Sequence, residues 1–145
     1  MSQSLTGTCL CASIHFTLPP TPPIKTMACY CHDCRKNSGG PYQTNAMYPA
    51  SSVEISDTRS TLKSYTIHNT SSGSPKEKLF CGECGCMLFT KPGHYKGEMV
   101  VVKTGMLDGD GMERLGLQAE LFTRDRPGFC RPLEGCKQIE TMPGK

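Results

Sequence analysis

The chain of 145 residues contains no tryptophan, and only 7% of its residues are aromatic. Apolar residues make up 37%, which leaves little side-chain volume for a large hydrophobic core in a chain sized for one domain. No stretch approaches the ~18 consecutive apolar residues of a membrane span, so a bilayer is not an expected partner. Basic residues are scattered, with no run longer than Arg35-Lys36 and no basic stripe interleaved with aromatics. That argues against nucleic acid as a partner. The opening MSQSLTGTCLCAS lacks a charged segment followed by an apolar one. No secretory signal is read there, and a reduced, cytoplasmic setting is expected.

Glycine, proline and cysteine are abundant instead, at 15, 11 and 10 residues. A chain this rich in turns needs a crosslink to supplement hydrophobic burial, and metal ions would supply one. Seven cysteines fall into three tight clusters: Cys9 and Cys11; Cys29, Cys31 and Cys34; Cys81 and Cys84. Steps of C-x-C and C-x-x-C let neighbouring sulfurs point at one ion, and a tetrahedral thiolate site is typical of zinc. Adjacent C-x-C cysteines are also poor disulfide partners for one another. Seven thiolates remove seven charges and two zinc ions return four, so the formal +3 of the chain becomes zero.

The pattern along the chain is that of short strands. Ala12–Leu18, Ile24–Cys29, Tyr42–Tyr48, Val53–Ile55, Thr61–His68, Met87–Phe89, Met99–Lys103 and Ala119–Thr123 alternate or are apolar enough to be strands. Pro19–Pro23 reads as a stiff connector, Arg35–Pro41 as a turn or a single helical turn, and Asn69–Lys78 as a mobile hairpin tip. The tail from Gly135 is expected to be loosely held. The expected fold class is therefore mainly β, as a single domain over 1–145 with its core at about 7–138.

Cys9-x-Cys11 and Cys81-x-x-Cys84 are each two-ligand half-sites. Joined, they make a closed, structural four-thiolate site. Cys29, Cys31 and Cys34 then form a three-ligand site with an open position, the arrangement of a catalytic metal. A fourth ligand from the protein is the alternative, and the candidates are His32, Cys86, His15, His94, Cys130 and Cys136. Three thiolates leave a zinc complex at net −1, which acidifies water poorly and suits sulfur ligands or a polarised carbonyl better than hydrolysis. Tyr30, Tyr42 and Gln43 lie near enough in sequence to line a substrate pocket. Arg35 and Lys36 read as a solvated basic turn, and Asp108 as a turn cap.

With these residues laid out, the chain resembles the glutathione-dependent formaldehyde-activating (GFA) family, also called the CENP-V/GFA domain, from Gly7 to about Gln138. The resemblance is carried by Gly7-Thr8-Cys9-Leu10-Cys11, by Cys29 through Gly39, by Phe80-Cys81-Gly82-Glu83-Cys84-Gly85 and by Thr104-Gly105-Met106-Leu107-Asp108. It implies a fold of twisted β-sheets, shared with the zinc-containing chaperones of small GTPases, with two zinc ions. Cys9, Cys11, Cys81 and Cys84 would hold the structural ion, and Cys29, Cys31 and Cys34 the catalytic one. It further implies a carbon–sulfur lyase acting on a small thiol–carbonyl adduct, with glutathione as possible co-substrate. A tailoring enzyme acting on a larger carbonyl intermediate, or a non-catalytic binding module, are the rival expectations. The chain departs from the family pattern at several positions. Tyr30 stands where a histidine is usual, Ala12 where glycine is common and Cys86 where a serine-like residue is typical. Leu117-Gln118-Ala119-Glu120 replaces a segment that carries a distal histidine.

Overall fold

The structure is a computed structural model and describes residues 3–143. Among these residues, eleven strands are joined by turns, short 3-10 segments and two short α-helices. The strands are β1 (Leu5–Thr8), β2 (His15–Leu18), β3 (Lys25–Cys29), β4 (Gln43–Pro49), β5 (Glu54–Ser56), β6 (Leu62–Ile67), β7 (Lys76–Cys81), β8 (Met87–Pro92), β9 (Met99–Lys103), β10 (Ala119–Leu121) and β11 (Lys137–Gln138). Helix α1 spans His32–Ser38 and α2 spans Gly111–Leu115. The expected mainly β class is what the molecule shows. Among the described residues no helix is long and apolar enough to cross a membrane.

Strands β1, β2 and β5 form a small antiparallel sheet. The other eight form a large sheet in the order β11-β10-β3-β4-β9-β8-β7-β6. That sheet is antiparallel except where β10 runs parallel to both β3 and β11. The expected run Met99–Lys103 is β9, in the middle of the sheet between β4 and β8.

Side chains alternate across a strand, and here that alternation separates two interiors. From β4, Ala46 and Tyr48 face the small sheet, as do Val100 and Val102 from β9, and they pack with Ile14, Phe16, Leu18 and Phe89. Phe16 and Phe89 meet edge-on with ring centroids 5.1 Å apart. The opposite side of the large sheet carries Met27, Cys29, Leu121 and Phe122, together with Tyr30, Cys31 and Cys34. The large sheet is thus the wall between a structural core and a second, cysteine-bearing interior.

Two local expectations need correction. The stretch after the central cysteines is a seven-residue helix, α1, that begins earlier than the expected turn. Its N-cap is Cys31, whose sulfur accepts from the Cys34 amide, and a cysteine is not among the usual capping signals. The tail from Gly135 is tied down over its described residues: β11 pairs with β10, and the amides of Phe122 and Thr123 donate to the carbonyls of Thr141 and Ile139.

Candidate metal centres

Cys9 follows β1, and Cys11 lies in the turn to β2. That turn closes with Ala12 N–H donating to the Cys9 carbonyl at 3.0 Å, with Ala12 in the left-handed region at φ 62°. Cys81 ends β7, and Cys84 sits in a turn closed by Gly85, at φ 77°, whose amide donates to the Cys81 carbonyl at 2.8 Å. Each turn also aims an amide at a sulfur: Ile14 N–H at Cys9 Sγ, 3.4 Å, and Cys84 N–H at Cys81 Sγ, 3.5 Å. The four sulfurs lie within 4.8 Å of one another. Cys9 and Cys11 are 3.7 Å apart, and Cys11 and Cys81 3.6 Å. A tetrahedron of sulfurs each ~2.3 Å from zinc has edges of about 3.8 Å, whereas a disulfide closes to about 2.05 Å. The donor set fits a four-thiolate ion, and all ten cysteines are free. Cys81 is acidified to about 5, first by the Cys84 amide and then by the Ser13 hydroxyl. Ser13 is buried against three of the four sulfurs and bonds Thr61 at 2.7 Å. Nothing in its sequence context pointed to that position.

The second group is local. Cys29 ends β3, Cys31 caps α1 and Cys34 lies in the first helical turn, with Cys34 N–H donating to Cys31 Sγ at 3.4 Å. Their sulfurs also lie within 4.8 Å of one another. The Cys34 thiol is held well below its usual range, because Cys29 and Cys31 hydrogen-bond to it and Lys103 and Lys76 add positive charge. Hydrogen bonds with Cys31 and Cys34, followed by burial, push Cys29 upward. Among the described residues, no histidine, cysteine or carboxylate joins these three as a fourth. His32 is exposed beside Asp33. Cys86 accepts from Leu10 N–H beside the first group, Cys136 donates to the Leu117 carbonyl, and Cys130 packs on the second interior. His15 is exposed near Thr8, and His94 stacks on Tyr95.

A cavity of about 140 Å³ opens beside this group. Strand alternation delivers its walls: Lys25, Met27 and Cys29 from β3, Gln43, Asn45 and Met47 from β4, Val101 and Lys103 from β9. Lys103 is 4% exposed. Its Nζ donates to Asn45 Oδ1 at 2.9 Å and to Thr90 Oγ1 at 3.0 Å, and burial lowers its pKa to about 8. Asn45 Nδ2 in turn donates to Cys34 Sγ at 3.9 Å. Sequence reasoning missed both residues. The one available signal was a lysine closing an apolar strand, at a position whose alternation points away from the main core.

A family profile described as glutathione-dependent formaldehyde-activating enzyme matches residues 4–125. The chain belongs to that family. A crystal structure of a Rhodobacter sphaeroides protein from a structural-genomics programme superposes with a TM-score of 0.57 at 19% identity, covering 77% of this chain and 94% of that one. At that identity the likeness is one of fold. No curated protein matches the chain significantly.

Within this family member, the sequence-predicted pocket residues separate. Gln43 lines the cavity, 7% exposed, with its Oε1 buried and without a hydrogen-bond partner. Tyr42 packs on Tyr30 at 5.2 Å between ring centroids and lines an outer groove. Tyr30 turns away from the cavity: it is fully buried, and its hydroxyl donates to Glu120 Oε1 at 2.8 Å. Tyr30 and Glu120, far apart in the sequence, therefore meet in space as hydrogen-bond partners. Arg35 and Lys36 stay on the surface of α1. Asp108 accepts from the hydroxyls of Thr6 and Thr8 and fastens the β1 edge.

Proposed function

We propose that this protein is a zinc-dependent enzyme of the carbon–sulfur lyase type, acting on a small thiol–carbonyl adduct in a reduced, cytoplasmic setting. The observation that carries the reading is the three-thiolate group at the wall of a cavity, with no fourth protein donor among the described residues. When bound by Cys29, Cys31 and Cys34, zinc supplies a Lewis acid with a position open to the reactants.

The reaction class joins a thiol to a carbonyl or parts them. In addition, the C–S bond forms and the thiol proton ends on the carbonyl oxygen. In elimination, the C–S bond breaks and the hydroxyl proton returns to sulfur. The protein side chains have matching tasks. Asn45 holds Cys34 and Lys103 in fixed relation through the two ends of its amide. Lys103 brings a cation to a water-poor wall, where its field is stronger than in solvent. Gln43 Oε1 offers an acceptor to the hydroxyl of the adduct. Glutathione as the thiol co-substrate belongs to this same proposal. The cysteines 9, 11, 81 and 84 take no part in the chemistry and hold the sheets together.

Exchange of a simple aldehyde with its thiol adduct, followed by magnetisation transfer in NMR, tests the reading. The zinc-loaded protein is expected to accelerate exchange, and Cys34→Ser to abolish the acceleration while retaining the four-cysteine ion. A Cys34→Ser protein as active as the wild type overturns it.

A further inference from the structure

The cysteines account for a metal, but not for the other polar groups buried in the cavity. Lys103 carries a charge into an almost fully buried position, and among the described residues no carboxylate lies within 4.0 Å of its Nζ. Buried charges are normally paired. Its two hydrogen-bond partners, Asn45 and Thr90, are neutral, the cysteine group supplies negative charge only through space, and an ammonium has three N–H donors. Asn45 is committed at both ends, to Lys103 and to Cys34, so one ammonium donor remains for a ligand.

Four further features fit the same ligand. Lys25 and Lys76 also line the cavity, and the one acidic group among the lining residues, Asp33, is engaged by Lys76 at 3.5 Å. Gln43, which pairs with Cys29 across β3 and β4, presents a buried acceptor without a partner. The rest of the wall mixes thioether and hydrocarbon, from Met27, Met47 and Leu121 among others, with polar side chains such as Ser71, His94 and Tyr95. The volume of about 140 Å³ is close to the ~150 Å³ that accommodates one benzene.

We propose that the cavity selects a small substrate bearing a carboxylate. The carboxylate pairs with Lys103, an O–H of the reacting carbon donates to Gln43 Oε1, and the carbon skeleton, about one six-membered ring in size, lies on the methionines. A tripeptide thiol such as glutathione would leave most of its atoms outside. This inference rests on the reading that reactants approach the Cys29, Cys31 and Cys34 centre, and it adds what else they must carry.

Three thiols of similar length separate the possibilities: 3-mercaptopropanoate, 3-mercaptopropanol and cysteamine. Each is titrated into the full-length protein with cobalt in the metal sites, followed by calorimetry and by the cobalt absorption bands. The carboxylate thiol is expected to bind about tenfold or more tightly than the alcohol, as suits a charge-assisted hydrogen bond, and cysteamine most weakly. Lys103→Met, close to lysine in length, is expected to remove the preference for the carboxylate thiol over the alcohol. Lys103→Arg, which retains the charge and serves if the Met variant fails to fold, is expected to keep the preference. Equal affinities for three thiols that all shift the bands overturn the carboxylate inference and leave the metal-centre reading standing. If none shifts the bands, the metal-centre reading falls, and benzoate alone then decides the carboxylate site. Saturable binding that Lys103→Met abolishes supports it, and no binding overturns it.

Discussion

Glu120 has none of its surface exposed, and four donors converge on its carboxylate: the Tyr30 hydroxyl, the Arg126 guanidinium, the Leu133 amide and the Gln138 side chain. Burial alone would raise its pKa, but those donors, Gln138 and Leu133 foremost, outweigh it and hold the carboxyl below its ordinary value near 4.5. A depressed native pKa means that the unfolded chain takes up the proton first. The stabilisation is therefore complete above about pH 4.5 and is lost as pH falls through the native value. Glu120→Gln is expected to cost about 3 kcal/mol near neutral pH, because Arg126 is left without its counter-charge. The gap from wild type should narrow as pH drops below 4.5, read as the difference in urea midpoints at each pH. At Lys103, burial works in the opposite sense for a base, and the ammonium is the group that a bound anion would relieve.

At the scale of elements, the small sheet depends on one close approach. Gly7 pairs with Phe16 across β1 and β2, and a methyl at Gly7 would lie 2.1 Å from the Phe16 ring. Gly7→Ala must therefore push Phe16 off Phe89 or part the strands. The expected cost is about 1–3 kcal/mol, typical of overpacking, visible as a lower denaturation midpoint with the metal content unchanged. Most strands were legible because period-two alternation is a local property, and β9 came out with its expected bounds. Helix α1 and strand β11 were not. The first is capped by a sulfur, and the second exists only because Glu120 binds Gln138 and β10 offers an edge. The loop read as a mobile tip is likewise shorter, since Lys76 already pairs with Ile67 and Pro92.

For the whole molecule, the two cysteine groups have unequal mechanical roles. Cys9 and Cys11 lie in the turn between β1 and β2 of the small sheet and Cys81 ends β7 of the large one, so an ion held there ties two layers that share a lean core. Cys29, Cys31 and Cys34 come from one strand end and the helix after it, and join no distant parts. Bound zinc of the first kind contributes on the order of 10–16 kcal/mol of apparent binding free energy to folding. Cys81→Ser is thus expected to lose its far-UV circular dichroism signature and both ions. Cys34→Ser should keep the fold and one metal equivalent per chain by elemental analysis.

The sequence by itself determined the cysteine groups, their division into four and three, and the mainly β character, because half-site spacing and strand alternation are written in neighbouring residues. Tertiary structure alone decided what surrounds the metal centre. Lys103, Asn45 and Thr90 lie on three different strands, and only their register in one sheet turns them toward Cys34. The same register sends Tyr30, adjacent to two of the ligands in sequence, to Glu120 and away from the cavity. A side chain's partner across a sheet is fixed by pairing between distant segments, and no local pattern encodes it.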